Sequence, residues 1–139
     1  MTLHDRFGRQ LTYLRVSITD RCNLRCFYCL PRDCGVQWRP ERLDLDEIAA
    51  VVRVAVGLGI GKIRITGGEP LVHPGVVDLV RTLSTLSGIT DLALSTNGTL
   101  LTEHAQALRA AGLARVNVSV DSLRPEIFRA VSGRDDLER

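Results

Sequence analysis

Three cysteines lie close together in the amino-terminal part of the chain, at Cys22, Cys26 and Cys29, with the spacing C-x3-C-x2-C. One loop can fold sulfurs this closely spaced around a single centre, whereas a disulfide would use two of them and leave the third unpaired. Nothing in the sequence marks the chain as secreted, and clustered thiolates inside cells are more often metal ligands or catalytic groups. Iron–sulfur clusters are held by such thiolates, usually four of them. Three protein ligands would leave one metal position open, which is typical of a reactive site.

The same cysteines allow two simpler interpretations. A zinc site could be completed by Cys34, because structural zinc sites have four protein ligands. Alternatively, the thiols are buried free cysteines without a metal. The spacing favours an iron–sulfur centre but leaves both alternatives open.

The second stretch that could do chemistry is Gly67-Gly68-Glu69-Pro70, which follows a predicted strand. It lacks the glycine patterns of phosphate-binding and dinucleotide-binding loops. Two glycines at a strand end let a ligand approach the backbone closely, and Glu69 could accept a hydrogen bond from a ligand amine. The simpler alternative is a tight turn with a solvated glutamate. Next to a cysteine loop, the ligand interpretation is favoured.

Five further polar residues are candidates for ligand contacts. Tyr28 lies between two of the cysteines and could stack on a ligand or form a hydrogen bond with it. Arg15 and Arg64 fall inside predicted strands, where a charge is costly unless it is paired, and arginine suits phosphates. Ser95 and Ser119 fall near predicted strand ends, although small polar residues are common there.

Length and composition are those of one ordinary globular domain. The chain has 139 residues, of which 45% are hydrophobic and 24% charged, and its net charge of +2 gives no reason to expect nucleic-acid or membrane binding. The first residues lack the apolar region of a signal peptide, and the longest apolar run, residues 48–60, is too short to span a bilayer. We therefore expect a cytoplasmic protein.

The elements that must position these residues alternate along the chain. Asp44 and Glu47 form a capping-box pattern at one helix start, Thr102 is predicted to cap another, and the tail from Ser132 reads as polar. Alternation of strands and helices predicts an α/β fold with a parallel sheet, either doubly wound or part of a β/α barrel. In both, ligands bind at the carboxyl ends of the strands. The predicted strands cover residues 13–19, 62–66, 90–96 and 115–120, and the predicted helices cover residues 44–58, 74–86, 102–111 and 125–131.

Taken together, the three-cysteine loop, the Gly-Gly-Glu-Pro turn and the βα pattern resemble the radical S-adenosylmethionine (radical SAM) superfamily. Within it, the chain is most similar to the GTP 3′,8-cyclases of molybdenum cofactor biosynthesis. The similarity runs in order along nearly the whole chain. The segments that carry it are Phe7-Gly8-Arg9, residues 14–23 (LRVSITDRCN), residues 63–71 (IRITGGEPL), residues 95–98 (STNG) and residues 115–121 (RVNVSVD).

The resemblance implies a cofactor pair and a reaction. A 4Fe–4S cluster would bind the amino and carboxylate groups of S-adenosylmethionine at its open iron. Reductive cleavage would give a 5′-deoxyadenosyl radical that abstracts the ribose 3′ hydrogen of GTP. Attack of that carbon on C8 of guanine would give (8S)-3′,8-cyclo-7,8-dihydroguanosine 5′-triphosphate.

The resemblance also implies roles for particular residues. The three cysteines would hold the 4Fe–4S cluster. The other positions divide between the two small molecules, with Tyr28, Gly68 and Ser119 contacting S-adenosylmethionine and Arg15, Arg64 and Ser95 contacting GTP. The implied partners are GTP as substrate and a reductant protein for the cluster, with a homodimer as one assembly that the sequence allows.

The departures from the family pattern are mild in sequence and large in length. Leu30 stands where many members have methionine, and Ser95 where threonine is usual. The family is longer and carries a second 4Fe–4S cluster in a carboxyl-terminal domain. We therefore expect residues 1–139 to be an incomplete radical SAM core, with about four βα units of a six-unit TIM-like partial barrel, and to be a poor catalyst alone.

Two competing functions remain open at this stage. Another radical SAM enzyme, such as a peptide-modifying one, would share the cysteine loop and the Gly-Gly turn but would not use Arg15 and Arg64 for a triphosphate. A zinc-binding module without catalysis would depend on Cys34. It would leave the polar residues at the other strand ends unexplained.

Overall fold

The computed structural model describes residues 2–29 and 43–137 of the chain. The loop predicted for residues 30–42, together with Cys34, lies outside the described residues. The described chain alternates strands and helices in the order β1, α1, β2, α2, β3, α3, β4 and α4. Their bounds are Tyr13–Ser17 (β1), Leu45–Gly57 (α1), Lys62–Thr66 (β2), Val76–Ser84 (α2), Asp91–Thr96 (β3), Leu101–Ala110 (α3), Arg115–Val118 (β4) and Pro125–Ser132 (α4).

The four strands form one parallel sheet in the order β1-β2-β3-β4. Ile63 and Ile65 of β2 and Leu92 and Leu94 of β3 are buried on one face of this sheet. They join a single apolar core with residues of α1, α2 and α3. Strands in chain order with three helices in one core match a β/α barrel better than a doubly wound sheet, whose strand order reverses. The α/β prediction is therefore confirmed, with the sheet arranged as part of a barrel.

Of the two helix caps predicted from the sequence, the structure contains one. The Asp44 side chain accepts a hydrogen bond from Glu47 N, and the Glu47 carboxylate accepts one from Asp44 N, so the predicted capping box opens α1. The cap predicted at Thr102 is wrong, because α3 begins one residue earlier and its N-cap is Leu100, which makes no side-chain capping bond. Packing of the helix into the core, rather than a cap, sets that start.

A short 3-10 turn, Pro70–Val72, was not expected and shortens the helix that follows. Glu69 caps this turn by accepting a hydrogen bond from Leu71 N at 3.0 Å. The helix predicted over residues 74–86 therefore covers only Val76–Ser84.

Two strands also end before the predicted boundary. β1 ends at Ser17 and β4 at Val118, although the hydrogen bond from Ile18 N to Thr66 O continues the β1–β2 pairing by one residue. None of the helices in the described part of the chain is long and apolar enough to cross a membrane.

Candidate metal centre and cofactor site

The cysteine loop follows β1 at the carboxyl edge of the sheet. Cys22 and Cys26 are partly buried and Cys29 is exposed, and all three are free thiols. A turn is closed by the hydrogen bond from Cys29 N to Cys26 O at 3.0 Å. The sequence prediction that these residues share one loop is therefore confirmed.

The three cysteine side chains lie on one loop, but the described residues do not form a closed metal site. Burial raises the pKa of the Cys26 thiol above its ordinary value. A hydrogen bond with Tyr28 partly opposes this, and the neighbouring Cys29, Asp121 and Cys22 raise the pKa further. Among the described residues, no three His, Cys, Asp or Glu side chains are grouped closely enough to hold a metal ion. The three thiols are the ligand type that a three-thiolate metal site needs. To bind the metal, the loop would have to bring the three sulfurs closer together.

Two backbone segments form hydrogen bonds with the cysteine loop and with the residues that lead into it. On the β2 side, Gly68 N donates to Thr19 O at 2.7 Å and Glu69 N donates to Arg21 O at 2.8 Å. On the α4 side, Arg25 N donates to Ser132 O at 2.7 Å, and Phe27 N donates to Val131 O at 3.1 Å. The predicted polar tail therefore begins one residue too early, because Ser132 is a buried residue of α4.

The two glycines of the Gly-Gly-Glu-Pro turn are needed by the chain itself. A Cβ atom at Gly67 would lie 2.5 Å from Thr19 O, and one at Gly68 would lie 2.4 Å from Arg21 O. The close approach that the glycines allow is thus the approach of the segment that leads into the cysteines. Whether a ligand also approaches Gly68 stays a prediction.

The structure excludes one of the two interpretations of Glu69, and its contact with a ligand amine stays a prediction. Its side chain is 1% exposed, so it is not a solvated glutamate. Its carboxylate accepts hydrogen bonds from Leu71 N, from Thr96 Oγ1 at 2.7 Å and from Asn97 N at 2.7 Å. A buried carboxylate needs such partners, and here they join the end of β2 to the end of β3.

The residues predicted to contact S-adenosylmethionine lie at the ends of three different strands. Tyr28 lies in the loop after β1, Gly68 after β2, and Ser119 directly after β4, where its amide donates to Thr96 O at 2.9 Å. The Tyr28 hydroxyl donates to the two oxygens of Asp121 at 3.0 and 3.2 Å. Burial raises the pKa of the Tyr28 hydroxyl strongly, and the bond to Asp121 raises it further. In the sequence, Asp121 was named only as the last residue of the segment 115–121, and the structure makes it the partner of Tyr28.

The residues predicted to contact GTP share one face of the sheet, opposite the core. Arg15 and Arg64 are register partners on β1 and β2. Ser95 lies on the same face of β3, two residues beyond Ala93, the partner of Arg64. The Arg64 guanidinium lies 5.5 Å from the centre of the Tyr13 ring. Its Nε is buried and has no hydrogen-bond partner within the described residues, which is a cost that an acceptor from a ligand would remove.

Sequence reasoning missed three residues that connect the third strand to the cysteine loop. Asn97 and Asn23 were named only within segments that resemble the family, and no role was given to Thr99. Asn97 Nδ2 donates to Asn23 Oδ1 at 2.8 Å, and Asn23 Nδ2 donates to Thr99 Oγ1 at 2.7 Å. No local pattern predicts these contacts, because Asn23 is separated from the other two by more than seventy residues.

Comparison with known families gives the class of protein that this sheet and cysteine loop define. The model of the radical SAM superfamily matches residues 16–139. The chain therefore belongs to the radical SAM superfamily, whose members use a 4Fe–4S cluster and S-adenosylmethionine.

Among curated proteins, its relatives are named GTP 3′,8-cyclase. It is 48% identical over 139 residues to the one from Alkaliphilus oremlandii, covering 99% of this chain and 43% of that protein. It is 50% identical over 139 residues to the one from Peptoclostridium acidaminophilum, covering 99% of this chain and 42% of the relative. The chain thus spans about two fifths of the length of the curated relatives that it matches.

A solved structure supports the fold. The crystal structure of BtrN in complex with AdoMet and 2-DOIA superposes with a TM-score of 0.61 over 79% of this chain and 46% of that chain. The sequence identity is 20%, so this similarity concerns the fold alone.

Proposed function

We propose that this chain provides the cluster-binding and cofactor-binding core of a GTP 3′,8-cyclase, an enzyme of molybdenum cofactor biosynthesis. Cys22, Cys26 and Cys29 would hold the 4Fe–4S cluster. The bound cluster would supply the electron for reductive cleavage of S-adenosylmethionine, and a reductant protein would reload it. The names of the relatives and the single cysteine loop at the carboxyl edge of the sheet support this proposal.

The positions of the residues support the remaining roles. Tyr28, Gly68 and Ser119 would contact S-adenosylmethionine, because they lie in the loop after β1, just after β2 and just after β4. The substrate would lie on the open face of the sheet, against the side chains of Arg15, Arg64 and Ser95.

The observation that carries the choice of GTP is the pair of arginines on adjacent strands. Arg15 and Arg64 are register partners, and Arg64 has a buried donor without a partner in the described chain. Two guanidinium groups side by side on one face repel each other and are stabilised by a shared anion, and arginine matches phosphate oxygens well. A triphosphate meets that requirement.

The test has two stages, of which the first concerns the cluster. The full chain is reconstituted anaerobically with iron and sulfide, reduced, and examined by electron paramagnetic resonance. A 4Fe–4S signal that changes when S-adenosylmethionine is added, and that is lost in Cys26→Ala, is the expected result. Tight zinc binding in place of a cluster, dependent on Cys34, would contradict the proposal.

The second stage concerns the substrate. GTP binding is measured by calorimetry on the full-length protein, for the wild type, for Arg64→Met and for Arg53→Met, which removes an exposed arginine from α1. Loss of a guanidinium–phosphate contact should weaken GTP binding about tenfold or more in Arg64→Met, since a charge-assisted hydrogen bond contributes roughly 1.5–3 kcal/mol. Arg53→Met should bind like the wild type. A cluster without any GTP binding would point to a radical SAM enzyme with a different substrate.

A further inference from the structure

Three side chains beside the cysteine loop close a ring of hydrogen bonds. Asn97 Nδ2 donates to Asn23 Oδ1 at 2.8 Å, and Asn23 Nδ2 donates to Thr99 Oγ1 at 2.7 Å. Thr99 Oγ1 completes the ring by donating to Asn97 Oδ1 at 2.8 Å. The ring joins the turn after β3 to the residue that follows Cys22.

The direction of every bond in this ring is fixed by one backbone amide. Thr99 N points at Asn97 Oδ1 from 3.0 Å, and a backbone N–H can only donate. That atom of Asn97 is therefore the carboxamide oxygen, and the other end is the NH2 group. The remaining orientations follow, since each amide accepts at its oxygen and donates at its nitrogen. Asn97 thus cannot flip without breaking at least two bonds.

The fixed orientation aims a donor at the first cysteine. Asn97 Nδ2 uses one hydrogen for Asn23 and lies 3.9 Å from Cys22 Sγ. Sulfur is large, and contacts of this length are those of weak N–H···S hydrogen bonds. The main chain is held as well, because Asn97 N donates to the buried carboxylate of Glu69 at 2.7 Å. The donor is therefore preorganised from both its backbone and its side chain.

We propose that Asn97 is a positioning residue for the cluster, which holds the Cys22 end of the loop and donates a hydrogen bond to the Cys22 sulfur. This inference rests on the proposed function, in which Cys22 is a cluster ligand. Hydrogen bonds to the sulfurs of an iron–sulfur cluster are among the factors that set its reduction potential. A donor stabilises the more negative, reduced form and so makes the potential less negative.

Two substitutions separate this role from a purely structural one. Asn97→Asp keeps the shape and the oxygen that accepts from Thr99, but it replaces the NH2 group that faces both Asn23 and Cys22 with a negatively charged carboxylate oxygen, so it opens the ring as well. Thr99→Val opens the ring at a buried position with a side chain of similar shape. It leaves the Asn97 donor in place, because Thr99 N still binds Asn97 Oδ1.

The measurement is a redox titration of the reconstituted full chain, followed by electron paramagnetic resonance. Asn97→Asp should shift the midpoint potential to more negative values, with iron content per chain reported alongside. Thr99→Val should have a midpoint close to that of the wild type. Equal shifts in both variants, or no shift in Asn97→Asp, would overturn the proposal.

A second measurement does not depend on the cluster. In the cluster-free chain, nitrogen-15 spectra should show that Cys22→Ala shifts the side-chain amide resonances of Asn97 much more than those of Asn23. An unshifted Asn97 side chain would refute the contact with Cys22 even if Asn97→Asp fails to fold. Failure of the wild type to assemble any cluster would instead count against the proposed function, and the spectra would still decide the contact.

Discussion

Gly68 is the residue at which the Gly-Gly turn and the cysteine segment come closest. Its amide donates to Thr19 O, and a Cβ atom there would lie 2.4 Å from Arg21 O. The clash would join a Cβ atom and a backbone oxygen, and neither of them moves when a side chain rotates. The turn and the segment leading to Cys22 must therefore separate if Gly68 is given a side chain.

Gly68→Ala should lower the free energy of unfolding by about 1–3 kcal/mol, which is typical of an extra methyl group in a packed site. The control is Gly57→Ala in α1, where a Cβ would meet nothing within 4 Å. That variant should gain up to about 1 kcal/mol, because alanine favours the helix over glycine. Urea denaturation of both variants measures the difference, and a stable Gly68→Ala would contradict the geometry.

The buried carboxylate of Glu69 stabilises the same region by a different means. It accepts from two backbone amides, of Leu71 and Asn97, and from the Thr96 hydroxyl. Glu69→Gln turns one acceptor into a donor, so that an amide would face another N–H. We expect a loss of about 1–3 kcal/mol in unfolding free energy, the cost of leaving a buried polar group unsatisfied. The matched control is Glu103→Gln at an exposed position of α3, which should change stability by a few tenths of a kcal/mol.

At the scale of elements, an ion pair joins the third and fourth strands. Arg115 Nη2 lies 2.5 Å from Asp91 Oδ2, and Arg115 Nε donates to Asp91 Oδ1 at 3.1 Å. The hydrogen bond from Arg115 is the main reason that the pKa of Asp91 lies below its ordinary value. Burial of the carboxyl opposes this shift, and the charges of Arg115, Lys62 and Arg64 support it.

This pair predicts a pH dependence at the acid end. Because the pKa of Asp91 is lower in the folded chain than in the unfolded one, the pair favours folding above the unfolded value of about 3.9. Its contribution is lost as the pH falls through the folded value. Arg115→Gln should therefore show a shallower loss of stability below about pH 4 than the wild type, while Arg53→Gln on α1 should keep the wild-type slope. Thermal unfolding between pH 3 and pH 6 measures both slopes, and parallel profiles for Arg115→Gln and the wild type would refute the linkage.

Local sequence patterns correctly predicted the elements that depend on neighbouring residues alone. The strand at Lys62–Thr66 and the capping box of Asp44 and Glu47 were predicted from alternation and spacing, and the structure has both. The cap predicted at Thr102 was wrong, because packing of α3 against the core makes the helix begin at Leu101. Thr102 is an exposed residue of the first turn. Ser132 was predicted to begin a polar tail, but it is a buried residue of α4, which supplies backbone carbonyls to the cysteine loop.

Only part of the candidate site could likewise be predicted from local sequence patterns. The cysteine loop and the residues at the strand ends could be predicted, because parallel strands bring their carboxyl ends to one edge. The ring of Asn23, Asn97 and Thr99 could not, because it depends on how the turn after β3 meets a distant loop. Short polar side chains carry no signal of such a contact until the register of the sheet is known.

At the scale of the whole molecule, the sheet is asymmetric. One face is buried under α1, α2 and α3, and the other carries polar and charged side chains such as Arg15. Within the described residues, β1 and β4 are the two edges. Three exposed apolar side chains lie at the end of β4 and just after it, those of Val118, Val120 and Leu123. An open strand edge next to apolar surface is a place where chains associate.

We therefore predict that the chain associates through the β4 edge as its concentration rises. Val120→Lys places a charge beside that edge, where Val120 is 45% exposed, and should reduce the sedimentation-velocity fraction above monomer size. The control Val54→Lys adds the same charge on α1, at a valine that is 65% exposed and lies away from the edge. It should leave association unchanged, because the backbone groups in the interior of a helix already pair within that helix. If Val54→Lys disperses the chain and Val120→Lys does not, association occurs through the outer surface of α1 and the edge explanation fails.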